Sequence, residues 1–173
     1  MGIKSKSDIA NNAIRMLLQA AGAYYDEARG FKKFAISSPE WGEVLRLFAG
    51  SCCYCGRALD MESSTSDHLV PINKTSLGLH AWGNIVPCCR QCNKEKNHKD
   101  WRVFIKSKCE GLLRTKRIKA LSGFQKKYRY NPSLNLEDVA NNLYEDVGEV
   151  SAVLIRLRLK QAQEVISSMT KQG

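Results

Sequence analysis

Six of the seven cysteines fall in two short runs, Cys52-Cys53-Tyr54-Cys55 and Cys88-Cys89-Arg90-Gln91-Cys92, with Asp67-His68 and Asn84 between them. Each run holds one Cys-x-x-Cys pair, Cys52 with Cys55 and Cys89 with Cys92. Two such pairs place four sulfurs on two tight turns. That donor set suits zinc, which accepts tetrahedral thiolate ligation with no ligand-field preference. Gly56, directly after Cys55, lets the chain curl back toward the metal. The spacing leaves Cys53 and Cys88 outside the ligand set, and Cys109 stands apart from both runs. The alternative is buried structural thiols without metal, the less favoured reading of two such pairs. Inside the clamp the residue types change. A neutral imidazole such as His68 can take a proton from water at cellular pH. A carboxylate such as Asp67 can ligate a hard divalent cation. Phosphodiester hydrolysis needs such a base, such a cation and rigid alignment. Neighbouring side chains on a strand face opposite ways, so Asp67 and His68 serve one site only if the strand twists or ends there.

The charge is concentrated beside these residues. Residues 94–129 carry thirteen Lys/Arg and three Asp/Glu, and 13 − 3 = +10 equals the net charge of the chain. A basic block next to a metal site is what a phosphate-backbone binder requires, although a solvated helix face reads the same way in isolation. No run of about 18 apolar residues is present, which argues against a membrane-spanning helix. Asp8, Asn11, Asn12 and Arg15 break any apolar stretch that a leader peptide would need. Together with the thiols, these features point to an intracellular protein, with the bacterial cytoplasm as the expected setting.

Around the site the pattern is mostly helical. Ile9, Ile14, Leu17, Leu18, Ala21 and Tyr24 predict a helix over 7–29, stopped by Gly30. Ser37 and Glu40 form a capping-box signature with Pro39 in the first turn, and the helix runs to about Phe48. Residues 66–72 read as a strand ending near Pro71, and Ile85-Val86 as a short second strand. A helix is expected from about Arg90 to Lys108, and one or two more between 112 and 129. Asn131-Pro132-Ser133 is a break. The tail from Leu136 to about Met169 is helical, with a possible bend at Gly148. Its stripe of Val139, Leu143, Val147, Val150, Leu154 and Leu157 packs on the core or meets a second copy or partner protein.

The chain at Cys52-x-x-Cys55-Gly56, Asp67-His68-Leu69-Val70-Pro71, Asn84-Ile85-Val86-Pro87 and Cys89-x-x-Cys92-Asn93-x-x-Lys96 resembles the HNH, or ββα-metal, nuclease family. The resemblance covers about residues 51–105. It implies that His68 is the general base, and that Asp67 and Asn93 hold one catalytic Mg²⁺ or Mn²⁺. Asn84 would orient His68 or pin the loop, and the products would carry 5′-phosphate and 3′-hydroxyl ends. Many members carry His where this chain has Asn93. His98 follows, but on one continuous helix it would point roughly 140° away from Asn93. His80 and His98 are read as solvent or phosphate contacts. Lys94, Lys96, Lys99 and Arg102 are candidate phosphate contacts, and Trp82 and Trp101 candidate base-stacking rings, Trp101 more readily a core residue.

The expectation is a mostly helical α+β fold: a zinc-clamped ββα-metal core over 51–108, an N-terminal helical region over 1–50, and basic then amphipathic helices over 109–173. The expected activity is metal-dependent DNA cleavage, with restriction or anti-phage defence as the expected setting. The alternatives are a non-catalytic zinc-ribbon nucleic-acid binder, or the nuclease subunit of a larger complex.

Overall fold

Ala10, Ile14 and Leu18 recur every fourth residue and are buried, which is the apolar stripe of an amphipathic helix, α1 (Lys6–Ala28). A computed structural model describes residues 6–36, 39–131 and 136–170 of the chain. The stripe continues through Gly22 to Tyr25. Tyr24, expected to face inward, is 74 % exposed because it lies one residue off that row. Next comes α2 (Pro39–Leu47), which buries Trp41, Val44 and Leu45. The capping box expected before it rests on Ser37, which lies outside the described residues, as do Pro132 and Ser133 of the expected break.

The only sheet among the described residues is an antiparallel pair, β1 (Thr65–His68) and β2 (Ile85–Cys88), in register Thr65 to Cys88 and His68 to Ile85. β1 is shorter than the sequence predicts. Beyond His68 the chain is held by Asn84, whose carbonyl accepts from Leu69 N at 2.8 Å and whose side-chain oxygen accepts from Val70 N at 2.8 Å.

The helix expected over 90–108 is two helices, α3 (Arg90–Lys96) and α4 (Trp101–Lys108). Asn97 reverses the chain with φ of 50°, a conformation asparagine tolerates. Asp100 then caps α4 by accepting from Arg102 N at 2.8 Å and Val103 N at 3.3 Å. The basic segment is one helix, α5 (Gly111–Lys127).

The last helix, α6 (Glu137–Thr170), is continuous through Gly148. Its first turns pack on α1: Ala140 is buried beside Ile14 and Leu18, with Leu143 and Tyr144 against the same cluster. The predicted stripe therefore divides. Val139 is exposed because it lies beside the packed row of Ala140, and Val150, Leu154 and Leu157 are exposed farther along α6, beyond the residues packed on α1. No described helix is long and apolar enough to cross a membrane.

The main core lies between α1 and α6 in the sequence: Phe34 and Trp41, then Leu69, Trp82 and Ile85, then Trp101, Phe104, Leu121 and Phe124. Trp82 and Trp101 are buried in it, so neither offers a face for base stacking. Trp82 instead stacks on Tyr128, ring centroids 4.9 Å apart, and donates from Nε1 to Lys32 O at 2.8 Å.

One buried ion pair joins α1 to this core. Asp26 is fully buried and accepts from Trp82 N at 3.1 Å and Phe34 N at 3.3 Å. Arg29 Nη2 meets Asp26 Oδ1 at 2.5 Å, and its guanidinium also donates to the carbonyls of Tyr25, Trp82 and Tyr128.

Candidate active site and metal clamp

The two cysteine knuckles close on each other. The Sγ atoms of Cys52, Cys55, Cys89 and Cys92 all lie within 4.8 Å of one another, and those of Cys55 and Cys89 are 3.8 Å apart. A tetrahedron with metal–sulfur bonds of about 2.3 Å has edges of about 3.8 Å, so the donor set fits a structural zinc. The first knuckle turns at Gly56, φ 81°, whose amide donates to Cys52 O at 2.9 Å. A Cβ there would collide with the Arg117 guanidinium, which itself reaches Cys52 O at 3.4 Å. In the second, Cys89 is the N-cap of α3 and Cys92 sits in its first turn.

The neighbouring thiols are core groups. Burial pushes Cys53 well up and Cys88 up to about 12, the latter against a Thr65 hydroxyl 3.3 Å away. Cys109 is buried with its Sγ 3.4 Å from Tyr54 O.

β1 ends at His68, and its last residues Ser66, Asp67 and His68 line a cavity of about 330 Å³ with Asn93 and His80. The strand end thus meets the condition for Asp67 and His68 to share one site. His68 is partly buried. Burial, with the charges of His80, Lys96 and Arg15, holds its imidazole down at about 3, so it is neutral at cellular pH. Its Nε2 lies 3.1 Å from His80 Nδ1.

His80 is the group that sequence reasoning missed, having treated it as a solvent or phosphate contact. It is set by packing. A Cβ on Gly22 of α1 would collide with the His80 carbonyl, and the Phe34 ring sits 5.7 Å from the imidazole. Burial, then Lys33, lowers its pKa as well.

Asp67 is 7 % exposed and held by two donors. Tyr54 Oη donates to Oδ2 at 2.5 Å, and Lys96 Nζ lies 3.0 Å from Oδ2 and 3.3 Å from Oδ1. Burial raises this carboxyl, and Lys96, then the Tyr54 hydroxyl, pulls it back. Lys96 also donates to His68 O at 2.7 Å. Lys96, expected among the phosphate contacts, is 0 % exposed, a correction with a plain cause: on α3 it faces the strand rather than solvent. Lys94, Lys99 and Arg102 are exposed, and Arg102 lies over the Trp101 ring with Cζ 4.2 Å from its centroid.

Asn84 is fully buried and bonds only backbone. Its Oδ1 takes Val70 N, and its Nδ2 gives to Val70 O at 3.0 Å and Leu79 O at 2.7 Å. Of the two roles expected for it, the geometry is that of pinning the loop. Asn93 donates from Nδ2 to Ser66 O at 3.2 Å and lines the cavity. His98 also lines the cavity, with its Nδ1 3.5 Å from Asn73 Nδ2. The helical-wheel argument that turned it away does not apply, because the helix ends before it.

A two-stranded antiparallel hairpin leading into a helix, with a four-thiol clamp across its ends, defines a ββα module of metal-site type. The family model for HNH endonuclease matches residues 52–99, so that stretch of the chain is similar to HNH endonucleases. No curated protein matches the chain.

Proposed function

We propose that the protein is a metal-dependent DNA endonuclease that hydrolyses phosphodiester bonds with His68 as its general base. The observation that carries this reading is the convergence of His68, Asp67 and Asn93, all within the family-matched stretch, on one cavity. With His80 Nδ1 as acceptor, His68 keeps its proton on Nε2 and presents Nδ1 to water; His80 is then a positioning residue. Lys96, through His68 O, and Asn84, through Val70, hold the backbone on either side of that imidazole.

Asp67 and Asn93 are the oxygen donors for a catalytic Mg²⁺ or Mn²⁺. The Asp67 carboxylate has about four lone-pair sites; Tyr54 takes Oδ2 and Lys96 reaches both oxygens, so an ion bound there would share the carboxylate with Lys96. Such an ion supplies charge stabilisation at the scissile phosphate and leaving 3′ oxygen. Lys94, Lys99 and Arg102 contact flanking phosphates, and the products carry 5′-phosphate and 3′-hydroxyl ends. Restriction or anti-phage defence is the setting we infer, with the exposed apolar part of α6 available to a second copy or a partner subunit.

One observation favours a second reading, a zinc-ribbon module that binds nucleic acid without cutting it: Asp67 is already neutralised by buried Lys96. The deciding experiment is cleavage of supercoiled plasmid with Mg²⁺ or Mn²⁺, wild type beside His68→Ala. Loss of a positioned general base costs about 100- to 10,000-fold in rate. Cutting lost in the variant, with zinc and fold retained, supports the nuclease. Binding without cutting, unchanged by the substitution, overturns it in favour of the binder.

A further inference from the structure

The cavity at His68 does not end at the hairpin. It shares Arg15, Ile72 and His98 with a second cavity of about 710 Å³ that continues along α1 past Asn11 and Asn12 to Lys74. One wall of this trough is the loop after β1. The other is the polar face of α1, where Asp8, Asn11, Arg15 and Gln19 stand three or four residues apart, with Asn12 beside Asn11. None of these α1 residues lies in the family-matched stretch.

Arg15 is exposed, reaches both cavities and makes no hydrogen bond or ion pair among the described residues, yet its charge is felt at His68. The other wall is braced from behind, since Lys74 Nζ lies 4.1 Å from the ring centroid of Tyr144 on α6.

We propose that α1 is a working wall of the active site: the trough seats the DNA strand on one side of the scissile phosphate. Arg15 binds a backbone phosphate beside the reacting bond, and Asn11 and Asn12 face base edges. The chemistry matches the residues. A guanidinium with free donors takes two phosphate oxygens at once. Asparagine amides pair with adenine in bidentate fashion and so can bias where the strand is cut. This rests on the nuclease reading for the reaction, and on the trough's own geometry for binding.

The test uses the full zinc-loaded chain with Mg²⁺ or Mn²⁺ and a fluorescein-labelled DNA duplex. It compares wild type, Arg15→Ala, Arg15→Lys and the double variant Asn11→Ala/Asn12→Ala, with zinc content and melting temperature as checks on fold. If wild type cuts, Arg15→Ala is expected to lower kcat/KM by about 10- to 100-fold, with partial rescue by lysine. The double variant is expected to redistribute the cut sites read by end sequencing. Rates within about twofold of wild type and an unchanged cut-site distribution overturn the proposal.

If wild type binds but does not cut, the nuclease reading falls and the trough is judged by anisotropy. Arg15→Ala should then reduce the slope of log affinity against log salt by about one. An unchanged slope overturns the trough. A wild type that neither cuts nor binds overturns both.

Discussion

Arg29→Met is the most informative stability test of how α1 is held to the loop that carries His80 and Trp82. Methionine keeps the bulk of the stem and removes the guanidinium, which is 10 % exposed and bound to Asp26 Oδ1 at 2.5 Å. Asp26 is then a fully buried carboxylate with two backbone donors and no counter-charge. Breaking a buried pair on one side costs about 3–5 kcal/mol. The Arg29 contact with the Tyr25 ring, Cζ 3.9 Å from its centroid, adds to that. A loss of about 4 kcal/mol is a large part of a typical stability of about 5–15 kcal/mol. It corresponds to a fall in Tm of about 8–16 °C for a chain of this size.

The pH dependence has a definite sign. Burial already holds the Asp26 carboxyl above its ordinary 3.8, and Arg29 is the strongest of the groups that pull it back. Without Arg29 it rises further. A carboxyl raised in this way binds its proton more tightly folded than unfolded. Its contribution favours folding below 3.8 and is lost as pH rises through the folded value. The deficit of the variant against wild type should therefore shrink on going from about pH 7.5 to about pH 5. Urea unfolding of both proteins at the two pH values, zinc saturated, measures it. A loss under about 1 kcal/mol, or a deficit that does not change with pH, refutes the assignment of this pair as the joint.

Further outcomes follow from the clamp and from Asn84. Stripping zinc with a chelator should unfold the protein, because binding at such sites contributes about 10–16 kcal/mol, more than a typical domain's whole stability. Metal analysis should find about one zinc per chain, lost in Cys52→Ser and Cys89→Ser but kept in Cys53→Ala and Cys88→Ala; a melting curve unmoved by stripping would contradict the clamp. Asn84→Ala should cost about 2–4 kcal/mol, since it leaves part-buried Val70 and buried Leu79 backbone groups unpaired. Hydrogen exchange should show amides of the 69–83 loop losing protection first, and uniform protection would count against the pinning role.

The sequence by itself determined what depends on short spacing. Cys-x-x-Cys brings two sulfurs together through a single turn, so the clamp of Cys52, Cys55, Cys89 and Cys92 was legible without a fold. The same holds for the existence of α1, α2 and α6, whose period is local, though not for which residues of α1 and α6 are buried, and for Asp67-His68, whose neighbours are set by the chain. Boundaries that depend on competition were not. β1 ends at His68 because the Asn84 side chain takes the backbone partners a longer strand would need. The helix after Cys89 breaks because Asn97 turns the chain and Asp100 starts a new helix. Tertiary structure alone decided the company His68 keeps. His80 reaches it because Gly22 lets α1 press on the loop. Lys96 turns inward because Asp67 is buried opposite it. Arg15 arrives from a helix some fifty residues away. Each of these contacts depends on which elements pack together, and no spacing along the chain encodes that.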